Sequence, residues 1–339
     1  MATSTPDATQ DAAYDVTGIG NAIVDVIAHA DDAFLAANTI EKGAMTLIDA
    51  ARAEELYGRM GPGVEVSGGS AGNTMAGIAM LGGRGAYIGK VARDQLGDVF
   101  RHDIRAAGVA FDSAPLLGGA PTARCLILVT PDAQRSMNTY LGACVELGPE
   151  DIDEALIAGS QVTYLEGYLW DPPRAKEAFR KAAEIAHAAG RKVSLSLSDS
   201  FCVHRHHAEF VDLVERHVDI LFANEHEIGA LYGTDSFEDA LAAVKRLGKT
   251  AALTRSEKGA VIVSAGEVVE VAAEPVERVV DTTGAGDLYA AGFLFGHTRG
   301  LSPAVCGRLG AVAAAEIISH VGARPEVNLR ELVAAKGIL

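Results

Sequence analysis

The sequence predicts an α/β fold: a mostly parallel sheet with helices on both faces, doubly wound, plus a small β lid over one face. Three observations carry this. From Val162 onward, five strand-like runs alternate with helix-like ones, the pattern of a parallel sheet covered on both sides. Near the N-terminus, residues 15–28 are almost continuously apolar, as in a strand buried on both faces. Between these regions, residues 123–130 and 135–141 flank Pro131-Asp132-Ala133-Gln134 and read as a hairpin that breaks the alternation.

Residues 1–13 are rich in Ala, Thr, Ser and Asp and are expected to form a disordered tail. Residues 14–339 read as one domain, with the lid drawn from about 30–46 and 110–141. In the first strand, 15–28, Asn21 and Asp25 are polar interruptions. Such side chains are costly in a buried strand unless they bond something; the plain alternative is a turn at Gly20-Asn21 with a solvated Asp25. A helix of small residues follows over 74–81, then a strand at 86–91 and a helix at 97–107. The later strands are expected at 162–165, 192–197, 220–223, 251–254 and 260–263. Their helices are expected at 173–189, 208–217, 225–232, 237–247 and 309–320. A further strand-like run, 276–280, leads through a turn into a helix at 288–296. Ligands of such sheets lie at the carboxyl ends of the strands.

Composition narrows the function. The chain has 339 residues and a formal charge of −16, which argues against nucleic acid or an anionic membrane as partner. Any phosphate must then be held locally. The four cysteines, Cys125, Cys144, Cys202 and Cys306, are scattered, which fits neither a disulfide framework nor a zinc site and points to a reducing cytoplasm. The first basic residue is Lys42, so a secretory or transit signal is not expected. His204, His206 and His207 lack acidic or Cys companions at ligand spacing and read as a polar loop.

The chemistry centres on Asp281-Thr282-Thr283-Gly284-Ala285-Gly286-Asp287. Glycines at a helix start let backbone N–H groups converge on an anion, and the helix dipole adds to them. Asp287 places a carboxylate in that anion-friendly spot. General-base work is one reason to do so; an ordinary first-turn acid is the other. Ser67-Gly68-Gly69-Ser70-Ala71-Gly72-Asn73 is a second glycine turn before a helix, suited to close ligand approach or to tight packing. Asn224 and Glu227 share a face at a helix start. They suit Mg²⁺, although taken alone their spacing better matches an N-cap with its capping Glu. Met137, Thr139 and Leu141 alternate along the hairpin, so they share a face that suits an apolar ring or plain packing. Tyr168, Leu169 and Trp170 offer a second wall. Gly18-Ile19-Gly20 is no dinucleotide fingerprint, because Ile23 takes the third glycine's place, and Gly89-Lys90 and Gly248-Lys249-Thr250 fail as P-loops at Arg84 and Ala243.

Taken in order, these stretches resemble the ribokinase-like (PfkB-type) carbohydrate kinase family, across about residues 15–325. The resemblance is strongest to its adenosine kinases, through Arg135-Ser136-Met137-Asn138-Thr139-Tyr140-Leu141, Ser196-Leu197-Ser198-Asp199-Ser200-Phe201 and Val218-Asp219-Ile220-Leu221-Phe222-Ala223-Asn224-Glu225. Thr283, where some adenosine kinases carry Asn, departs from that branch. The resemblance implies a ribokinase-like fold and ATP- and Mg²⁺-dependent phosphorylation of a primary hydroxyl, adenosine first. Free sugars such as ribose or fructose are the alternative acceptors, and a non-catalytic nucleoside-binding module is the alternative of a different class. It further implies Asp287 as general base, and Gly284, Ala285 and Gly286 as the anion hole. Arg135 would face the transferring phosphate, and Asn224 and Glu227 would organise Mg²⁺ through water. Asn21, Asp25, Gly68, Gly69, Ser70 and Asn73 would hold the acceptor. Thr254, Ser256 and Gly259 would line the ATP loop, and the helix before Gly322-Ala323 would flank the adenine. A monovalent cation is a further candidate cofactor. The partner is a small molecule, and the chain a monomer or homodimer.

Overall fold

The computed structural model describes residues 12–132 and 134–339. Most of the expected tail, and Ala133 of the hairpin turn, lie outside the described residues; of the tail's last two residues, Ala12 is buried.

Two sheets organise the molecule. The larger has eight strands in the order Glu267–Val271, Ala260–Ser264, Thr250–Thr254, Ile220–Asn224, Lys192–Ser196, Ser160–Glu166, Tyr14–Ile19 and Gly85–Ile88. From Thr250–Thr254 to Gly85–Ile88 every neighbouring pair is parallel; the first two strands join antiparallel at one edge. Successive residues of a strand point to opposite faces, and both faces are covered. Ile220, Phe222 and Ala252 pack beneath the helices Ser70–Met80, Ala285–His297 and Pro303–Ile317. Leu221, Ala223 and Leu253 pack beneath Pro173–Ala188, His207–Arg216, Glu225–Tyr232 and Phe237–Leu247 on the other side. This is the predicted doubly wound α/β arrangement.

The second sheet has five strands, ordered Met45–Leu47, Arg135–Tyr140, Ala123–Val129, Ile23–His29 and Gly63–Ser67. One face carries Val24, Val26 and Leu126 into the core with Leu56, Phe100 and Ile104 of the helices Ala50–Arg59 and Gln95–Ala106. The other face carries Ile23, Ile27, Cys125, Ile127, Val129 and Met137, which form a small apolar cluster of their own.

Three expectations are corrected. The single strand over 15–28 is two strands in different sheets, Tyr14–Ile19 and Ile23–His29. The break is at Gly20, where a Cβ would stand 2.2 Å from Glu166 Oε2, so only glycine lets the chain pass. Residues 276–280 form no strand; Val280 N–H instead bonds the Ile318 carbonyl at 2.8 Å, beyond the end of Pro303–Ile317. The edge strand Glu267–Val271 is not among the expected strands: it pairs on one side only, and Glu267 and Glu270 interrupt its apolar residues.

Candidate active site

The helix Ala285–His297 starts at Gly284, whose φ of 80° is left-handed backbone, the conformation glycine adopts at least cost. A Cβ there would also meet Ala323 at 3.2 Å. A Cβ on Gly286 would meet nothing within 4 Å, so that residue leaves open space beside the helix start. The first-turn N–H groups of Gly286 and Asp287 have no intrahelical acceptor. Ala285 is the exception among the three expected anion-hole amides: its N–H closes the turn on the Thr282 carbonyl at 3.2 Å.

Asp287 is set between this helix start and the turn before Ser70–Met80. Ser70 Oγ donates to its Oδ1 at 2.6 Å, and Asn73 Nδ2 to its Oδ2 at 2.9 Å. Burial raises its carboxyl above the ordinary value, against the pull of those two donors and of Arg324. Two segments far apart in sequence thus meet at one carboxylate.

The 67–73 turn is built for close approach. A Cβ on Gly68 would stand 2.4 Å from the Asp25 carboxyl, and one on Gly69, at φ 83°, 2.2 Å from the Asn21 carbonyl. Asp25 lies on the face of the second sheet that carries Ile23, Ile27 and Met137. Burial pushes it up to about 6, with Arg135 and Arg324 pulling down and Asp287 pushing up. The solvated Asp25 of the turn alternative is therefore not what forms, although the turn itself is. Asn21 is only 3% exposed. It gives both its N–H, at 3.3 Å, and its Nδ2, at 2.7 Å, to Glu166 Oε1, so it braces the strand break rather than standing open.

Glu166 was not singled out in the sequence. Its Oε2 accepts Ala71 N–H at 2.8 Å, joining the first strand's break to the glycine turn. Burial pushes it up to about 7 despite three N–H bonds. Arg324 was also missed, one residue beyond Gly322-Ala323. Nothing local marks either residue; their partners are 95 to 257 positions away.

Arg135 reaches the 281–287 turn and forms a buried ion pair with Asp281. Asp281 also accepts Gly322 N–H and Thr283 N–H, each at 3.0 Å. Burial works against its charge, but these bonds and Arg135 outweigh it and hold the carboxyl below its usual range.

On the other flank, Asn224 and Glu227 form a complete reciprocal cap. Asn224 Oδ1 accepts His226 and Glu227 N–H at 2.9 Å; Glu227 Oε2 accepts Asn224 N–H at 3.0 Å and its Oε1 accepts Asn224 Nδ2 at 2.6 Å. Burial pushes Glu227 up to about 7, with the Asp199 charge adding to the rise against the Asn224 N–H bond. Asn224 is in register with Thr254 on the adjacent strand, so the two stand side by side at the carboxyl edge. Ser256 follows at φ 51° and Gly259 at φ 82°. No cluster of three metal-binding side chains forms among the described residues.

The hairpin face needs two corrections. Met137 and Thr139 do share it, Met137 in the apolar cluster and Thr139 against Cys125 Sγ at 3.2 Å. Leu141 does not continue the alternation: the strand ends at Tyr140, and Leu141 turns with helical backbone into a short 3₁₀ segment. In the expected second wall, Trp170 and Leu169 are core, Trp170 packing on Phe179 and Phe210; only Tyr168 is exposed. His206 bonds Asp171 at 2.7 Å rather than joining its neighbours. All four cysteines are buried and free. No helix among the described residues is long and apolar enough to cross a membrane.

Comparison with known proteins agrees with this geometry. Residues 40–329 match the pfkB family of carbohydrate kinases. The fold superposes on an adenosine kinase from Sinorhizobium meliloti with a TM-score of 0.87 and 61% identity, covering 96% of this chain and 99% of that one. It superposes on a probable sugar kinase from Rhizobium etli CFN 42 with a TM-score of 0.90 and 56% identity, covering 97% and 100%. An ATP-dependent ribose-1-phosphate kinase from Halopiger xanaduensis is 31% identical over 237 residues, 67% of this chain and 72% of that protein. The ribokinase-like chain belongs to the pfkB family of carbohydrate kinases, and it is a kinase that acts on a hydroxyl group of a nucleoside or sugar.

Proposed function

We propose that the chain transfers the terminal phosphoryl group of ATP, with Mg²⁺, to a primary hydroxyl of a purine nucleoside, adenosine first. The observation that carries the acceptor is that same face of the second sheet. Ile23, Ile27 and Met137 are only partly buried and pack with Cys125, Ile127 and Val129. Cross-strand register pairs Met137 with Ile127, Arg135 with Val129 and Asp25 with Cys125. Apolar surface is thus continuous with the carboxylate and guanidinium that would meet ribose hydroxyls and phosphate. A purine fills such a slot; a free sugar leaves it wet. Tyr168 and Phe201, 43% and 79% exposed, stand on the carboxyl-end rim of the larger sheet and add aromatic surface.

On the donor side, a groove of ≈ 430 Å³ runs between residues 270–275, with Glu270 and Glu274 among them, and Ala304, Arg308 and Ala311 of the helix Pro303–Ile317. Its size is within the about 300–1,000 Å³ usual for small-molecule sites. It follows the helix Pro303–Ile317, whose end holds Val280 N–H, and it supports a purine donor there. The ATP-dependent relative supports the same donor.

The residues then divide the work. Asp287 takes the proton of the attacking hydroxyl, oriented by Ser70 and Asn73. The amides of Gly286 and Asp287 receive the charge that develops on the phosphoryl oxygens. Arg135 meets the same charge on leaving Asp281. Mg²⁺, when bound, neutralises donor phosphate charge. Asn224 and Glu227 would hold it through water, because their reciprocal cap bonds leave no cage for direct ligation, and the Asp199 charge that raises Glu227 adds to the pull on a cation.

The test is kcat/KM for a panel of nucleosides and free sugars, on the wild type and Met137→Asp. A purine nucleoside is expected to lead, and Met137→Asp to weaken nucleoside use through lost apolar contact and a buried charge. If ribose or fructose beats every nucleoside, the slot is not a base pocket and the free-sugar reading replaces this one.

A further inference from the structure

Arg324 has no part in the proposed chemistry, yet it stands beside it. Its loop is pinned from behind: Glu316 Oε1 accepts Glu326 N–H at 2.9 Å, Val327 N–H at 3.2 Å and a bond from His320 Nε2 at 3.1 Å. The guanidinium bonds neutral oxygens. Nη1 donates to the Gly72 carbonyl at 2.9 Å, and Nη2 to the Ser67 carbonyl at 2.6 Å and Ser67 Oγ at 2.9 Å. Ser67 in turn gives its N–H, at 2.8 Å, and its hydroxyl, at 2.5 Å, to Asp103. One side chain thereby ties the end of a second-sheet strand to the first turn of the helix that carries Ser70 and Asn73.

The charge is the second point. Among the described residues no carboxylate bonds the guanidinium directly, and a buried cation without counter-charge is costly. The nearby anions that offset its burial are Asp103, Asp25 and Asp287. Asp25 and Asp287 repel each other, and two crowded carboxylates do not both ionise readily. The other titratable groups facing Asp287 are Glu166, which is anionic when ionised, and the phenols of Tyr164 and Tyr168. Arg324 is the cation acting on Asp287 among them.

We propose that Arg324 is a positioning residue: it holds Asp287 as a carboxylate able to take a proton, and it fixes the turn that carries that carboxylate's two donors. This rests on Asp287 being the general base. The test is kcat against pH, with ATP, Mg²⁺ and adenosine, for Arg324→Gln, Arg324→Lys and Asp287→Asn beside the wild type. Arg324→Gln is expected to displace the acid limb of kcat upward by about one unit, losing up to about tenfold on that limb and recovering toward wild type on the alkaline plateau. Arg324→Lys keeps the charge but not the fork, so its limb stays in place while kcat falls at every pH. A Gln profile parallel to wild type, with Asp287→Asn inactive, overturns the role of Arg324 and leaves the base intact. An active Asp287→Asn overturns the base, and this proposal with it. If the Gln variant does not fold, the Lys variant decides: a displaced limb or an unchanged kcat overturns the proposal.

Discussion

Asp287→Asn separates basicity from shape at this site. The carboxylate receives two hydrogen bonds, from Asn73 Nδ2 and Ser70 Oγ. An amide can keep both contacts. Its oxygen accepts from Asn73, whose NH₂ can only donate, and its NH₂ donates to Ser70, whose hydroxyl rotates to accept. The packing and acceptor contacts are therefore retained, and what is lost is the proton acceptor. A positioned general base is worth about 10²–10⁴ in rate, which at about 1.36 kcal/mol per decade is about 2.7–5.4 kcal/mol of barrier. Stability moves the other way. Burial raises the Asp287 carboxyl above 3.8 in the fold, so the folded state holds its proton more tightly than the unfolded chain does. Ionising it costs stability, a cost absent below the unfolded value and fully present above the raised one. Asn carries no such cost, so the variant is expected to melt at or above the wild-type Tm at neutral pH. The assay is coupled ADP release at saturating adenosine and ATP, with calorimetry on the same preparation. Near-normal kcat in the folded variant refutes the base. A lowered kcat together with a much lowered Tm refutes the claim that shape is kept.

Two further perturbations address the flanks of the site. Glu227→Gln must set an NH₂ against one of two Asn224 donors, losing a cap bond worth about 1 kcal/mol; it is expected to raise the Mg²⁺ concentration for half-maximal rate more than the acceptor KM, and superimposable Mg²⁺ titrations would reduce the pair to a helix cap. Gly69→Ala and Gly286→Ala form a contrasting pair. The first forces a Cβ at φ 83° to 2.2 Å from a backbone oxygen and is expected to destabilise by about 1–3 kcal/mol or more, whereas the second enters open space and is expected to leave the unfolding free energy within about 0.5 kcal/mol while raising the donor KM; an unchanged KM for Gly286→Ala removes the donor from that space.

The legible parts of this site are the local ones. Asn224 and Glu227, three residues apart, announce a helix start whatever else they do, and the structure forms that cap in full. Gly284 and Gly69 announce backbone that other residues resist, and both take positive φ. The strands of the larger sheet between 160 and 264 were legible because burial on both faces demands near-continuous apolar runs, whereas the edge strand Glu267–Val271 was not. The same signal misled at residues 15–28. An apolar run shows burial but not which sheet does the burying, and Gly20 is needed only because Glu166 fills the space beside it. Leu141 was misplaced because alternation holds only while the strand lasts, and the strand's end is set by the following 3₁₀ segment. Glu166, Arg324 and the Asp281 partner of Arg135 were not legible. Each acts through partners between 95 and 257 positions away, and no spacing rule reaches that far.

Long-range packing also decides which carboxylate can act. Asp25, Glu166, Glu227 and Asp287 are all raised by burial, so a displaced pKa does not single one out. Bonding does. Glu166 is committed to three N–H donors that hold the strand break and the glycine turn together. Glu227 is committed to the cap and feels the Asp199 charge, on the proposed donor flank. Asp25 is on the proposed acceptor wall, and its carboxyl fills the space a Gly68 side chain would need. A base for phosphoryl transfer must stand where the hydroxyl loses its proton, next to where the phosphoryl charge appears. Asp287 alone of the four is at the helix start, one residue from Gly286, with its own amide facing the same space. As the proposed base, its side chain would take the proton while its backbone would help bear the charge, with Ser70 and Asn73 bonded to its two carboxylate oxygens.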